Sequence, residues 1–408
     1  MLIFVNNCIK YYNTIKYLRL IQIIGQLKRF FNGSKNTQIN LSKNYKLRPV
    51  RSKFLNPARK NKTMLKKNIF NFLNEVRSIN IKNDWDDLKV NKLWLYNLHY
   101  FDDLNSFDSD LRIEWHQDLI DLWIDNNLPG DGVGWESYTI SLRIINWVKW
   151  HLKGNFLKDH ALHSLEIQIR FLSKNIENHL LGNHLFTNAK ALIFAGLFFD
   201  HSESEDWYNQ GFKLINNELS EQILNDGGGF ELSTMYHALL LEDLLDLLNI
   251  HYCFERQPPN GIEDKINLMY LWLLTMTHPD GEVSFFNDSA FNIAPSLEEI
   301  KQYINRLHKV RLIKVDIERN INQPIINLND SGYTRLEVEN LVLILDRGSI
   351  GPDYIPGHAH ADTLSFEISL FNKRVIVNSG TSTYEKNVER HLQRSTSAHS
   401  TVVIDGEN

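Results

Sequence analysis

The sequence predicts an α+β protein of two domains, a long all-helical domain followed by a shorter antiparallel β domain. Three observations lead there. The chain has 408 residues and 43% hydrophobic content, enough for a large core and more than one domain. From Met64 to about Ile313, apolar residues recur at helical spacing between polar or glycine-bearing turns. After Ile321 the pattern changes to short β-branched or alternating runs bounded by Gly, Asp and Asn.

In chain order, residues 1–63 form a basic arm. Residues 1–67 hold 16 Lys or Arg and no Asp or Glu, whereas the other 341 hold 28 basic against 49 acidic residues, a balance of −21. Within the arm Tyr17, Leu20, Ile21, Ile24 and Leu27 share one helical face. Such a segment suits either docking on the acidic body, the favoured reading, or contact with an anionic membrane surface. Nucleic-acid binding is disfavoured because no recognised motif accompanies the basic residues. Residues 1–25 contain no continuous apolar run of signal-peptide or membrane-span type. Cys8 and Cys253 provide no disulfide framework. The expected location is cytoplasmic or membrane-peripheral, with the periplasm left open.

The helical domain is assigned to residues 64–329, with helices expected over Leu119–Ile124, Ile140–Leu152, Leu162–Ile176 and Ala238–Ile250. Paired helices over such a length fit a bundle, a solenoid or a toroid of hairpins. The β domain is assigned to residues 330–408, with strands expected at Tyr333–Glu339, Leu341–Asp346, Thr363–Phe371, Lys373–Asn378 and Ser400–Ile404. Its length is below the hundred or so residues of an ordinary sandwich, so the sequence is expected to stop inside this domain.

The chemistry-bearing residues fall into three clusters. Gly357-His358-Ala359-His360-Ala361-Asp362 would, as a strand, project both imidazoles and the carboxylate from one face, about 6 to 7 Å apart. Asn178-His179-Leu180 and Asn183-His184-Leu185 repeat the same triplet before an apolar helix. Asp226-Gly227-Gly228-Gly229-Phe230-Glu231 leads to Tyr236-His237 at the start of another helix. Three glycines permit close backbone approach to a ligand. The spacing of a phosphate-binding loop is missing.

Together with Trp94 to Phe101, Phe286-Asn287-Asp288, Ser379 to Tyr384 and Arg394 to His399, these clusters run in one order from about residue 90 onward. That series resembles the heparinase II/III-like polysaccharide lyases. The resemblance implies an incomplete (α/α) toroid followed by an antiparallel β-sandwich, with the active site in the cleft between them. It implies β-elimination at a uronic acid within an acidic polysaccharide. Asn183, assisted by His184, matches the position that neutralises the uronate carboxylate, Tyr236 the catalytic tyrosine and His358 the catalytic histidine. Tyr236 is taken as the acid and His358 as the base for one C5 epimer, with Tyr236 serving both roles for the other. A tyrosine acting as base needs neighbouring positive charge, for which His237 or Arg394 are the candidates. The resemblance also assigns a structural zinc to His360 and His399, with Asn378 where the family has aspartate. A neutral amide is a poorer zinc ligand than a carboxylate, and Asn378 is alternatively expected to bond His360. No organic cofactor is implied.

Among the aromatic residues, Trp147 and Trp150 fit a buried helical stripe, whereas Trp135, between Gly134 and Glu136, is the better sugar-stacking candidate. Arg143, Arg390 and Arg394 are candidates for pairing with uronate carboxylates. Two rival functions remain. The His358-x-His360-x-Asp362 spacing is also that of zinc hydrolases of the metallo-β-lactamase type, although Thr363 stands where a histidine is expected. The other rival is a non-catalytic glycan-binding protein, or one acting in capsule or O-antigen assembly.

Overall fold

The computed structural model describes residues 11–13, 15–32, 39–310 and 323–406. Helix α1 (Leu20–Asn32) precedes an extended segment and a small antiparallel sheet of β1 (Met64–Lys66), β2 (Ile69–Phe72) and β3 (Glu75–Ser78). This sheet corrects the expectation that helical structure begins at Met64. Phe70 and Phe72 alternate with half-exposed Ile69 and Asn71, and left-handed Asn68, Leu73 and Asn74 supply the turns, so a period of two prevails over four residues.

Among the described residues nine α-helices follow: α2 (Lys92–Tyr100), α3 (Ile113–Asn126), α4 (Ser137–Trp150), α5 (Asp159–Lys174), α6 (Gly182–Phe198), α7 (Ser202–Gln222), α8 (Thr234–Cys253), α9 (Ile262–Thr275) and α10 (Leu297–Lys309). The four sequence-predicted helices fall within or across α3, α4, α5 and α8. Local signals fix several starts. Asn91 caps α2, Ser233 caps α8 through the Tyr236 N–H, and Ser296 caps α10. Helix α10 also carries Glu298 and Glu299 in its first turn and Arg306, His308 and Lys309 in its last, matching the helix dipole. Helix α6 is buried almost all round from Leu185 to Phe198 and forms the centre of the helical core. It packs closely on α7 because Gly211 faces the Ala189 carbonyl and Gly196 faces the Tyr208 backbone. A Cβ at either glycine would sit 2.6 Å from those atoms.

The second sheet is a five-stranded antiparallel meander of β4 (Ile325–Leu328), β5 (Tyr333–Val338), β6 (Leu341–Asp346), β7 (Phe366–Leu370) and β8 (Lys373–Ile376). Its first strand precedes the residues where strand structure is expected. Registers such as Arg335 opposite Ile344 and Ile344 opposite Glu367 place Val342, Ile344 and Tyr333 against Trp272, Met276 and Phe286 of the helical part. A second apolar core thus joins sheet to helices. The strand expected at Thr363 begins only at Phe366, because Asp362 accepts from the Ser365 N–H and Leu364 is left-handed. His358, His360 and Asp362 therefore lie on a loop, and Ser400–Ile404 contains no regular strand. Helix α11 (Val388–Arg394), capped by Asn387, returns the chain toward the His358 loop.

Candidate active site

Asn183 occupies the first turn of α6, Tyr236 the first turn of α8, and His358 the loop before β7. The tyrosine and histidine rings are in contact, 4.0 Å between centroids with their planes tilted at 47°. Glu231 ties Asn183 to them: its Oε1 accepts from the Asn183 N–H at 3.3 Å, and its Oε2 lies 3.2 Å from His358 Nε2. That second contact has the distance of an ion pair without hydrogen-bond alignment, so Oε2 is a buried carboxylate oxygen without a hydrogen-bond partner. Asn183, Glu231, Tyr236 and Gln222 line one small cavity. The three catalytic residues implied by the resemblance thus converge. Asn183 Nδ2 donates to the Tyr138 hydroxyl at 2.9 Å, and His184 stacks on that ring at 4.4 Å while facing Glu177.

Behind His358 lies Asp288, fully buried. Its carboxylate accepts from His358 Nδ1 at 2.9 Å, His360 Nε2 at 2.8 Å, Thr381 Oγ1 at 2.8 Å and Arg390 Nη2 at 2.7 Å, and is bonded to Arg390 Nη1 as well. Four side chains from 70 or more residues downstream are therefore organised by one aspartate. Although the loop is not a strand, His358 and His360 meet the same carboxylate. Asp362 is turned elsewhere and accepts the Asn287 N–H at 3.0 Å. This arrangement removes the zinc-hydrolase reading, since the three residues do not converge on one point.

Electrostatics separate Tyr236 from His358. Burial raises the Tyr236 phenol well above 10, and its hydroxyl, donating to Tyr384 Oη at 3.1 Å, has no cation to offset this. Burial disfavours charge on His358, but the Glu231 carboxylate and the Asp288 hydrogen bond outweigh it and raise the imidazole above its usual 6.5.

Several candidates have structural roles instead. His237 also lines the cavity, but its ring is buried between the Met269 carbonyl and the Gly229 N–H and is pushed by burial down to about 4, so it supplies no charge to Tyr236. Arg394 donates to the carbonyls of Ala359 and Pro356 and thereby braces the His358 loop. Trp135 is 4% exposed, wedged between Trp123 and Phe171, and offers no free face for a sugar. Arg143 is wholly buried, lying over Trp123 and bonded to Gln168 and the Gly134 carbonyl. Arg390 is committed to Asp288. Trp147 and Trp150 are core, as their spacing predicts. Sequence reasoning gave no role to Glu231, Asp288, Tyr138 or Tyr384. A signal was present for Glu231, a carboxylate five residues before Tyr236 on a glycine-rich approach.

For zinc the donor set is incomplete. His360 Nδ1 and His399 Nε2 face each other at 3.0 Å, while the outer nitrogens meet the Asp288 carboxylate and the Ser395 carbonyl. Those outer partners only accept, so two lone pairs point inward, as they would toward a shared proton or cation. Asn378 does not complete the set. Its Oδ1 accepts from Ser400 N and its Nδ2 faces Ser365 Oγ, with no bond to His360. Among the described residues the acidic and histidine side chains close enough to share an ion are Glu166, His201 and Glu203, and Arg170 already bonds both carboxylates.

Comparison with known proteins identifies the family. Residues 108–310 match the family model for the heparinase II/III N-terminus, and residues 320–408 match that for the heparinase II/III-like C-terminal region. A heparin-sulfate lyase of Bacteroides stercoris is 26% identical over 245 residues, covering 56% of this chain and 36% of that protein. One from Pedobacter heparinus is 22% identical over 264 residues, covering 60% and 39%. The chain thus matches less than half the length of these relatives. In fold it is similar to a crystal structure of heparinase III, with a TM-score of 0.61 at 19% identity, covering 83% of this chain and 57% of that one. The heparan sulfate lyase HepC from Pedobacter heparinus gives a TM-score of 0.54 at 18% identity, covering 84% and 59%. With both family models matched in order along it, this chain belongs to the heparinase II/III-like family.

Proposed function

We propose that the protein is a polysaccharide lyase that cleaves a uronate-containing acidic glycan by β-elimination, in a cleft between a helical toroid and a β-sandwich. The observation that supports this most is the close, tilted contact of the Tyr236 ring with the His358 ring, with Asn183 tied to the same place through Glu231. A C5 proton leaves only if the adjacent carboxylate is neutralised, and the Asn183 amide is the donor for it. His358 Nδ1–H donates to Asp288, which fixes the tautomer and leaves Nε2 to take the proton. The C5–H electron pair becomes the C4=C5 double bond, the C4–O4 bond breaks, and Tyr236 protonates O4. Water is not consumed. Glu231 then steadies the imidazolium so formed.

The test is the ultraviolet absorbance of the conjugated 4,5-unsaturated uronate during incubation of the complete protein with a panel of uronate polymers. A rise abolished by Tyr236→Phe and by His358→Ala supports the reading. Retained polymer binding with no rise on any member of the panel would replace it with the glycan-binding or assembly function.

A further inference from the structure

Helix α1 is mounted the reverse way round for a surface helix. Its polar side faces the protein: Arg19, just before the helix, pairs with Glu221 and lies 3.8 Å above the Tyr354 ring, and Gln22 Nε2 donates to the Tyr354 carbonyl at 3.0 Å. Gly25 sits against His179, where a Cβ would come within 2.3 Å of the His179 Cβ. The other side presents Leu20, Ile21, Ile24 and Leu27, with Tyr17 just before the helix. These five are between 42% and 72% exposed, and nothing among the described residues covers them. An amphipathic helix ordinarily buries its apolar stripe on the core it packs against. Here the stripe faces outward, and the described residues provide no partner for it.

Charge indicates the occupant. The stripe lies in the stretch of 67 residues that holds 16 basic and no acidic side chains, on a protein whose remainder carries a balance of −21. The Lys16 ammonium lies beside the stripe, 4.7 Å from the Tyr17 ring. An apolar face bordered by cations suits a surface combining anionic headgroups with accessible acyl chains. No described helix is long and apolar enough to cross a membrane, so such contact would lie in the interface plane. We propose that α1 is a peripheral membrane anchor whose outward face inserts into an anionic lipid surface. Its inward face grips Glu221 and Tyr354, and Tyr354 lies four residues before His358. Attachment therefore holds the mouth of the candidate site close to the lipid surface. The anchor is independent of the lyase reading.

The test is sedimentation of the full chain with phosphatidylcholine vesicles, with and without phosphatidylglycerol. Binding is expected only to vesicles containing phosphatidylglycerol, and to weaken as salt is raised. The triple variant Ile21→Ser, Ile24→Ser, Leu27→Ser should lower partitioning by at least about tenfold. Because these side chains are exposed, its melting profile should match that of the parent. Arg19→Ala, which loosens the inward grip and leaves the stripe intact, should keep partitioning within about twofold of the parent. Failure of the parent to bind vesicles with phosphatidylglycerol, or equal binding by the triple variant, would overturn the proposal. So would self-association by light scattering that the triple variant abolishes in the absence of lipid binding, which would make a second copy the occupant.

Discussion

Asp288→Asn is the substitution that most directly tests the organisation of the candidate site. The change keeps the shape and removes the charge. In the native arrangement the carboxylate accepts from Arg390, His358, His360 and Thr381 while completely buried. An amide presents only one acceptor oxygen, so its NH₂ would point at donors of Arg390 or an imidazole. Removing one partner of a buried charge pair costs about 3–5 kcal/mol, chiefly because the other charge is stranded. For a chain of 408 residues, at about 1.2 °C per kcal/mol, the melting temperature should fall by roughly 4–6 °C. Thermal unfolding followed by circular dichroism measures this. A double-mutant cycle with Arg390→Gln should give a coupling of about 1–3 kcal/mol, because the second substitution removes the stranded partner. If the Asn variant melts within about 1 °C of the parent and the cycle is additive within about 0.5 kcal/mol, Asp288 does not organise the site and the argument fails.

Asp103 tests a second buried centre by pH: burial opposes its charge, but the His116 hydrogen bond, the Met64 N–H and nearby Arg112 lower it from 3.8 to about 2. Its stabilisation, about 2.5 kcal/mol, is present above pH 4 and lost as pH falls through about 2, so urea unfolding of Asp103→Asn should lack that acid-dependent loss. Trp135→Ala should cost about 3–5 kcal/mol of stability and leave KM for any polymer substrate unchanged; a raised KM with unchanged stability would restore the sugar-stacking role. For the proposed lyase, the acidic limb of kcat/KM should have its midpoint above 6.5, because the base works only as neutral imidazole and the carboxylates favour its charged form. Glu231→Gln should move that limb to lower pH, and an unmoved limb would exclude Glu231 as its cause.

The long helices were legible because their apolar residues recur at 3.6-residue spacing over three or more turns, and α4, α5 and α8 bury the stripes that spacing marks. The β1–β3 sheet was not, since its alternation extends over only four residues at Ile69–Phe72 before a turn interrupts it. In the candidate site, Asn183, Tyr236 and His358 were legible through the order of their motifs. Trp135 and Arg143 were misjudged because residue type alone cannot show whether a ring or guanidinium is already packed. The side chains that decide this, Trp123, Phe171 and Gln168, belong to other helices. Asp288 was visible within Phe286-Asn287-Asp288, but its role lies in partners at 358, 360, 381 and 390, beyond any local pattern.

The charge states around Tyr236 bear on how the proposed elimination divides its two proton transfers. A tyrosine that first removes a proton must become phenolate, and here burial and the Tyr384 and Tyr138 rings favour the neutral phenol. The cations that could reverse this are engaged elsewhere: His237 is neutral against Met269, Arg394 braces two carbonyls, and Arg390 neutralises Asp288. Tyr236 is therefore better suited to giving a proton than to taking one. His358 has the complementary arrangement, with Asp288 fixing one nitrogen and Glu231 beside the other to stabilise charge once the proton has arrived. Under the proposed mechanism the efficient substrate is then the uronate whose C5 hydrogen faces His358. Its epimer, whose hydrogen faces Tyr236, would require one phenol to act as both base and acid without a cation to lower its pKa.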